Sequence, residues 1–178
     1  SVDMGKPILD PRLVPVNAET NAESPFGEPY VRELPIDSPW GKFKFTMVSM
    51  GNPHAVTFID DWQELPDVCF VDPSNKSLST FDVDLIGAYF EGCEAFPERS
   101  NIEFAEIDGN GISMRVYERG CAETLACGTG TCATSVAATL LGLAGCKNDV
   151  KLLGGNLTID WRDDGHVVMT GPAEESFT

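Results

Sequence analysis

Residues Gly120 to Leu141 read GCAETLACGTGTCATSVAATLL, with three cysteines, five threonines and no charge after Glu123. From Thr129 to about Leu143 the residues are small or apolar on every side. Ala133, Val136, Ala137, Leu140 and Leu141 alternate there with Thr131, Thr134 and Thr139. A helix without a charged face is a buried helix. The spacing therefore predicts a buried helix over about 129–143, and the rest of the chain has to surround it.

The flanking sequence supplies strands for that purpose. KFKFTMVSM (Lys42 to Met50) places Phe43, Phe45 and Met47 on one face, the period of a strand. GNP turns the chain into HAVTFID (His54 to Asp60). NIEFAEI and ISMRVYE flank Asp108–Gly109–Asn110–Gly111, a hairpin signal. VKLL, LTIDW and HVVMT follow as three strands, with turns at Gly154–Gly155–Asn156 and Asp163–Asp164–Gly165. Phe81 to Glu91 reads as a short helix with Leu85, Ile86, Tyr89 and Phe90 on one side, and Pro11 to Pro39 as an irregular, partly unstructured excursion. The fold class is α+β: an antiparallel curved sheet or barrel wrapped around one buried central helix.

The chain has 178 residues, enough for one domain or one lobe of a larger enzyme. Asp and Glu number 28 against 12 Lys and Arg, a formal charge of −16. Such a surface repels nucleic acid and anionic membranes, so neither is expected as a partner. The six cysteines form no C-x-x-C pair and there are two histidines, so no metal site is expected. The opening SVDMGKP lacks the pattern of a secretory leader, and free thiols in a reducing cytoplasmic location are expected. The uncharged run from Thr124 to Cys146 is too rich in Thr, Ser and Gly for a membrane span. The abrupt start reads as a piece of a longer chain.

Cys127 stands directly before the helix. A helix start leaves about four N–H groups without partners and carries the positive end of the macrodipole. With Gly128 admitting close approach and Thr129 adding a hydroxyl, the step reads as a carboxylate pocket beside a thiol of lowered pKa. The plainer reading is a buried structural cysteine. Glu118 and Arg119 end a predicted strand just upstream. Arg119 suits a carboxylate and Glu118 suits a thiol proton or a substrate amine, although a surface ion pair explains them too. Asn52 and His54 sit in a Gly–Asn–Pro turn that accounts for the asparagine better than for the histidine. Asn101 begins a strand. Cys132 reads as packing, Cys69, Cys93 and Cys146 as inert, and Cys121 as exposed.

"MGNPHAV", "SNIEFAEI", "RVYERGCAETLACGTGTCA" and "GPAEESF" together resemble the second half of the diaminopimelate epimerase family. The likeness spans the chain apart from the excursion after Val16 and a stretch around Asp61 to Leu78. Ala122 stands where the family usually has glycine, a change expected only to stiffen the loop. The resemblance implies a cofactor-free epimerisation of LL- to meso-diaminopimelate for lysine and peptidoglycan precursors, by one thiolate and one thiol on opposite faces of the α-carbon. It implies that Cys127 is one of the two cysteines, that Glu118 assists it and that His54 assists the other. It also implies substrate contacts from Asn52, Asn101, Glu118, Arg119, Gly128 and Thr129.

No Asn–Gly–x–x–Cys segment for the second thiol occurs in this chain. Residues 1–170 are accordingly expected to be a carboxy-terminal lobe, inactive alone, with 171–178 a tail strand pairing with the absent amino-terminal lobe. An orphaned sheet edge would invite a homodimer. The rivals are a proline racemase-like or phenazine-pathway isomerase, a non-catalytic lobe binding a small acid, and a cysteine hydrolase using Cys127 and His54.

Overall fold

The computed structural model describes residues 1–171, so all of the expected tail strand except Gly171 lies outside the described residues. In chain order the strands are β1 (Val2–Asp3), β2 (Ala22–Glu23), β3 (Pro29–Tyr30), β4 (Leu34–Ser38), β5 (Gly41–Ser49), β6 (Pro53–Phe58), β7 (Asn101–Asp108), β8 (Gly111–Glu118), β9 (Ala122–Thr124), β10 (Lys147–Leu152), β11 (Gly155–Trp161) and β12 (Val167–Thr170). The helices are α1 (Val83–Glu91) and α2 (Gly128–Leu140). One large sheet runs β1-β12-β11-β10-β8-β7-β6-β5-β4, with β9 also paired to β8, while β2 and β3 form a small ribbon.

The fold is mixed α+β, as expected, but the sheet does not close into a barrel: β1 and β4 are its free ends. Nor is it wholly antiparallel, because β6 pairs with β7 and β8 with β10 in parallel. Parallel neighbours need a crossover. Helix α1 lies in the first crossover and α2 in the second. The pairs point in opposite directions, since β7 and β8 are antiparallel, yet both crossovers step the same way across the sheet. Crossovers are right-handed in nearly all proteins. That rule puts the two helices on opposite faces, and they occupy two separate cores.

The core around α2 is built from small and aliphatic side chains, with Cys132, Ala133, Val136 and Ala137 of the helix against Val48, Ile112, Met114 and Ile159. Small residues on every side let the helix touch β5, β6, β7, β8, β10, β11 and β12. Two of its buried hydroxyls are satisfied by carbonyls one turn back: Thr131 Oγ1 donates to the Cys127 carbonyl and Thr134 Oγ1 to that of Gly130, each at 2.8 Å. The opposite core is aromatic, with Phe45 against Phe90 and Phe81 against Phe104, each pair at 4.9 Å between centroids.

Two expectations change. The buried face of α1 is Val83, Ile86, Gly87 and Phe90, whereas Leu85 and Tyr89 are exposed. Gly87 sets this face, because a Cβ there would lie 2.5 Å from Tyr117 Cβ. The excursion is also ordered. Val14, Val16, Tyr30 and Val31 are buried, and β4 pairs with β5 along its whole length. Tyr30 Oη donates to the Leu140 carbonyl at 3.1 Å, and the Arg32 guanidinium to those of Leu140 and Leu141 at 3.3 and 3.5 Å. These contacts satisfy orphan carbonyls at the end of α2 and set a cation at its negative pole. No helix of the described residues is long and apolar enough to cross a membrane.

Candidate active site

Cys127 is the N-cap of α2. Its backbone is extended (φ −141°, ψ 107°) and its Sγ accepts the N–H of Gly130 at 3.3 Å. Oxygen side chains usually fill this position. Here sulfur closes the first turn, so the bond that begins the helix also fixes the thiol over it. Thr129 Oγ1 lies 3.6 Å from that sulfur and 3.1 Å from His54 Nε2. Asn52 Oδ1 is also 3.1 Å from Nε2, and Glu103 Oε2 is 2.8 Å from Nδ1. The side chains of His54 and Glu103 are fully buried.

The parallel β6–β7 pair delivers these groups. His54 is in register with Asn101 and Val56 with Glu103. Alternate side chains share a face of a strand, and Val56 and Ala105 belong to the core around α2. Residues 54, 101 and 103 therefore turn toward the same helix. Gly130 is required by this crowding, since a Cβ there would lie 2.7 Å from Glu103 Oε2 and 3.1 Å from Cys127 Sγ.

The loop from Arg119 to Ala126 is braced from α1. The Gly120 N–H donates to Glu91 Oε2, and the Glu123 N–H to Asp84 Oδ1 at 2.8 Å. Arg115 grips Glu123 with two bonds of 2.6 Å and donates to the carbonyls of Leu78 and Phe81. The Glu118 carboxylate accepts the Thr124 hydroxyl. Asn101 donates to the Pro53 carbonyl at 2.9 Å and accepts the Arg119 N–H at 2.7 Å, tying β6 to the end of β8. The Arg119 guanidinium is exposed and donates to the Glu98 carbonyl.

Ala122 does more than stiffen this loop. Its φ is 102°, in the left-handed region that favours glycine. A Cβ there costs roughly 1–2 kcal/mol, against about 0.5–1 kcal/mol of extra backbone entropy for glycine. Ala122→Gly is expected to stabilise the protein by about 0.5–1 kcal/mol, read as a higher urea midpoint at unchanged slope. A lower midpoint would contradict the strain.

The thiol pKa differs in direction from the expectation. Burial pushes Cys127 up, and the negative charge of Glu103, then of Glu118, adds to it. The Thr129 and Gly130 hydrogen bonds pull it down but do not prevail. A helix start does favour a thiolate, yet two carboxylates converge on this one. Cys127 at rest is therefore held toward the thiol form.

The structure thus gathers Cys127, Thr129, His54 and Asn52 into one cluster, with Glu118 near enough for its charge to act. Asn101 and Arg119 tie the adjoining backbone. Gly128 packs at the helix start, where a Cβ would approach Met169 at 3.4 Å. Glu103 and Gly130 escaped the sequence reading. The signal for Glu103 is a carboxylate at an inward position of an apolar strand. Cys69 and Cys132 are buried, the burial pushing them up to about 11 and about 12. Cys121 is exposed, and so is Cys146, so burial gives no ground for the inertness expected of Cys146. A hollow lined by Arg32, Lys42, Lys44, Asp60 and Leu141 lies at the far end of α2, about 20 Å from Cys127 by helix length.

The sequence model of the diaminopimelate epimerase family matches residues 46–175. The chain belongs to the diaminopimelate epimerase family. Asn52, His54, Asn101, Glu103, Glu118, Arg119 and Cys127 all fall within the matched region. Among curated members, the chain is 44% identical over 178 residues to diaminopimelate epimerase of Methanococcus maripaludis strain C6, covering 99% of this chain and 56% of that relative. It is 43% identical to the enzyme of Acetivibrio thermocellus, covering 99% and 55% respectively. The chain thus spans little more than half the length of these family members. Among solved structures, a "probable proline racemase" from Agrobacterium radiobacter K84 with bound carbonate aligns at a TM-score of 0.53 and 16% identity, over 83% of this chain and 50% of that one. That likeness concerns the fold alone.

Proposed function

We propose that the polypeptide carrying this chain epimerises LL-diaminopimelate to meso-diaminopimelate, with Cys127 as one of two thiols on opposite faces of the α-carbon. The observation that carries this reading is the seating of Cys127 Sγ on the first turn of α2, linked through Thr129 to a buried histidine. In one direction the Cys127 thiolate takes the α-proton: the C–H bond breaks, an S–H bond forms, and the electron pair moves toward the carboxylate. A second thiol then gives its proton to the opposite face. In the other direction Cys127 donates. The carboxylate accepts from N–H groups at the start of α2, where their dipoles meet the developing charge. Glu118 assists Cys127, and His54 assists the second thiol. Asn52, Asn101, Arg119, Gly128 and Thr129 contact the substrate. No cofactor is required by this route.

The second thiol comes from a lobe outside this chain, which docks over the face bearing Cys127. Two exposed leucines support that docking. Leu125 is 68% exposed, and its carbonyl accepts the N–H of Gly154, next to Leu153, 52% exposed. The same reading places the protein in the cytoplasm, where six free thiols stay reduced. It leaves the β4 edge open for a homodimer.

The test uses the complete polypeptide in heavy water with LL-diaminopimelate, meso-diaminopimelate and L-proline. The expected result is deuterium at the α-carbon and inversion with diaminopimelate only. Turnover of proline instead would favour a racemase, and turnover of neither would favour a binding lobe. Residues 1–178 alone are expected to show no inversion.

A further inference from the structure

We propose that Glu103 is a positioning residue of this site: it holds His54 by Nδ1 and so fixes Nε2 against Thr129 and Asn52, one hydroxyl away from the Cys127 sulfur. This rests on the reading of His54 and Cys127 given above. Glu103 is fully buried, and its Oε2 lies 2.8 Å from His54 Nδ1. Its other oxygen, Oε1, has no hydrogen-bond partner among the described residues. A buried acid with an orphan oxygen is a poor stabiliser, and an apolar side chain of its size would serve the core better. Gly130, whose missing Cβ leaves room for Oε2, marks the same accommodation. The acid is accounted for by what it does to the imidazole.

The neighbours of Nε2 fix the protons. Asn52 Oδ1, an acceptor, lies 3.1 Å away, so Nε2–H donates to it. The Thr129 hydroxyl, also at 3.1 Å, is then free to turn its proton toward sulfur. A second proton lies between Nδ1 and Glu103 Oε2. Burial raises the pKa of Glu103, and His54 opposes that only in part. The titratable groups facing Cys127 are Glu103 on β7, Glu118 at the end of β8, His54 on β6 through Thr129, and Cys132 one turn along α2. Glu103 is the larger of the two carboxylate influences on the thiol. Its removal should let the thiol ionise at lower pH, and loss of the Nδ1 contact should free the imidazole to change tautomer.

The experiment uses the complete polypeptide and its Glu103→Gln and Glu103→Asp variants. Alkylation of Cys127 by iodoacetamide is followed against pH by mass spectrometry of its peptide. The midpoint is expected to fall by about one pH unit in Glu103→Gln and to return toward wild type in Glu103→Asp. In Glu103→Gln, kcat for diaminopimelate is expected to fall about a hundredfold, with KM changed much less. An unmoved midpoint in a Gln variant that melts like wild type overturns the proposal. Nitrogen NMR of His54 in the wild type needs no variant: one locked form protonated at Nε2 is expected, and rapid averaging of tautomers overturns the proposal. A wild-type polypeptide inert toward diaminopimelate would refute the proposed function, and the thiol and imidazole readouts would still decide the role of Glu103.

Discussion

Cys127→Ser in the complete polypeptide is expected to lower kcat for epimerisation by at least about a thousandfold while leaving stability unchanged or slightly higher. The two effects separate because the sulfur caps the helix and, in the proposed mechanism, also carries a proton. As a cap it accepts the Gly130 N–H at 3.3 Å. A serine oxygen caps as well or better, with a value of about 1 kcal/mol over alanine. As a proton carrier the sulfur is replaced by a hydroxyl far too weakly acidic for the exchange. Cys127→Ala loses both roles and is expected to be inactive and about 1 kcal/mol less stable. The measurements are α-deuterium incorporation and thermal melting on the same samples. A serine variant within tenfold of wild type would remove Cys127 from the chemistry.

Gly130→Ala should cost about a hundredfold in kcat/KM although it improves helix propensity. Alanine in a helix interior is worth about 1 kcal/mol over glycine. Against this, the new methyl would lie 2.7 Å from Glu103 Oε2 and 3.1 Å from Cys127 Sγ. Both neighbours are held: Glu103 by burial and by His54, the sulfur by its bond to the helix. Forcing an extra methyl into a packed site costs roughly 1–3 kcal/mol. Either the acid or the thiol is then displaced by several tenths of an ångström, enough for about two orders of magnitude in rate. Steady-state kinetics and urea denaturation check both halves. Wild-type kinetics would show that neither side chain needs its present place.

The buried helix was legible because its residues carry no charge, and a surface helix needs one polar face. The hairpin at Asp108–Gly111 was legible because Gly109, at φ 62°, does what turn chemistry demands. The parallel pairs were not legible, because alternation describes one strand and says nothing about which neighbour it meets. The excursion looked unstructured because prolines and acids dominate it. Its order comes from distant partners, Tyr30 and Arg32 on the end of α2, which no local pattern reveals. At the site, Cys127, Thr129, His54 and Asn52 came from motifs and meet in space. Glu103 hid inside a strand that the hairpin signal located without assigning its faces, and only the facing histidine discloses its place. The thiol pKa was misjudged because one field, that of the helix, was visible in sequence, while the opposing carboxylates arrive from β7 and β8.

A cysteine that caps its own helix makes the first turn of α2 sensitive to its charge. An ionised sulfur attracts the Gly130 N–H more strongly than a neutral one does. In the proposed mechanism, each proton transfer between carbon and sulfur would strengthen or weaken that one bond. The amide of Gly130 would then serve as a gauge of protonation, its exchange with solvent expected to slow when the sulfur is ionised.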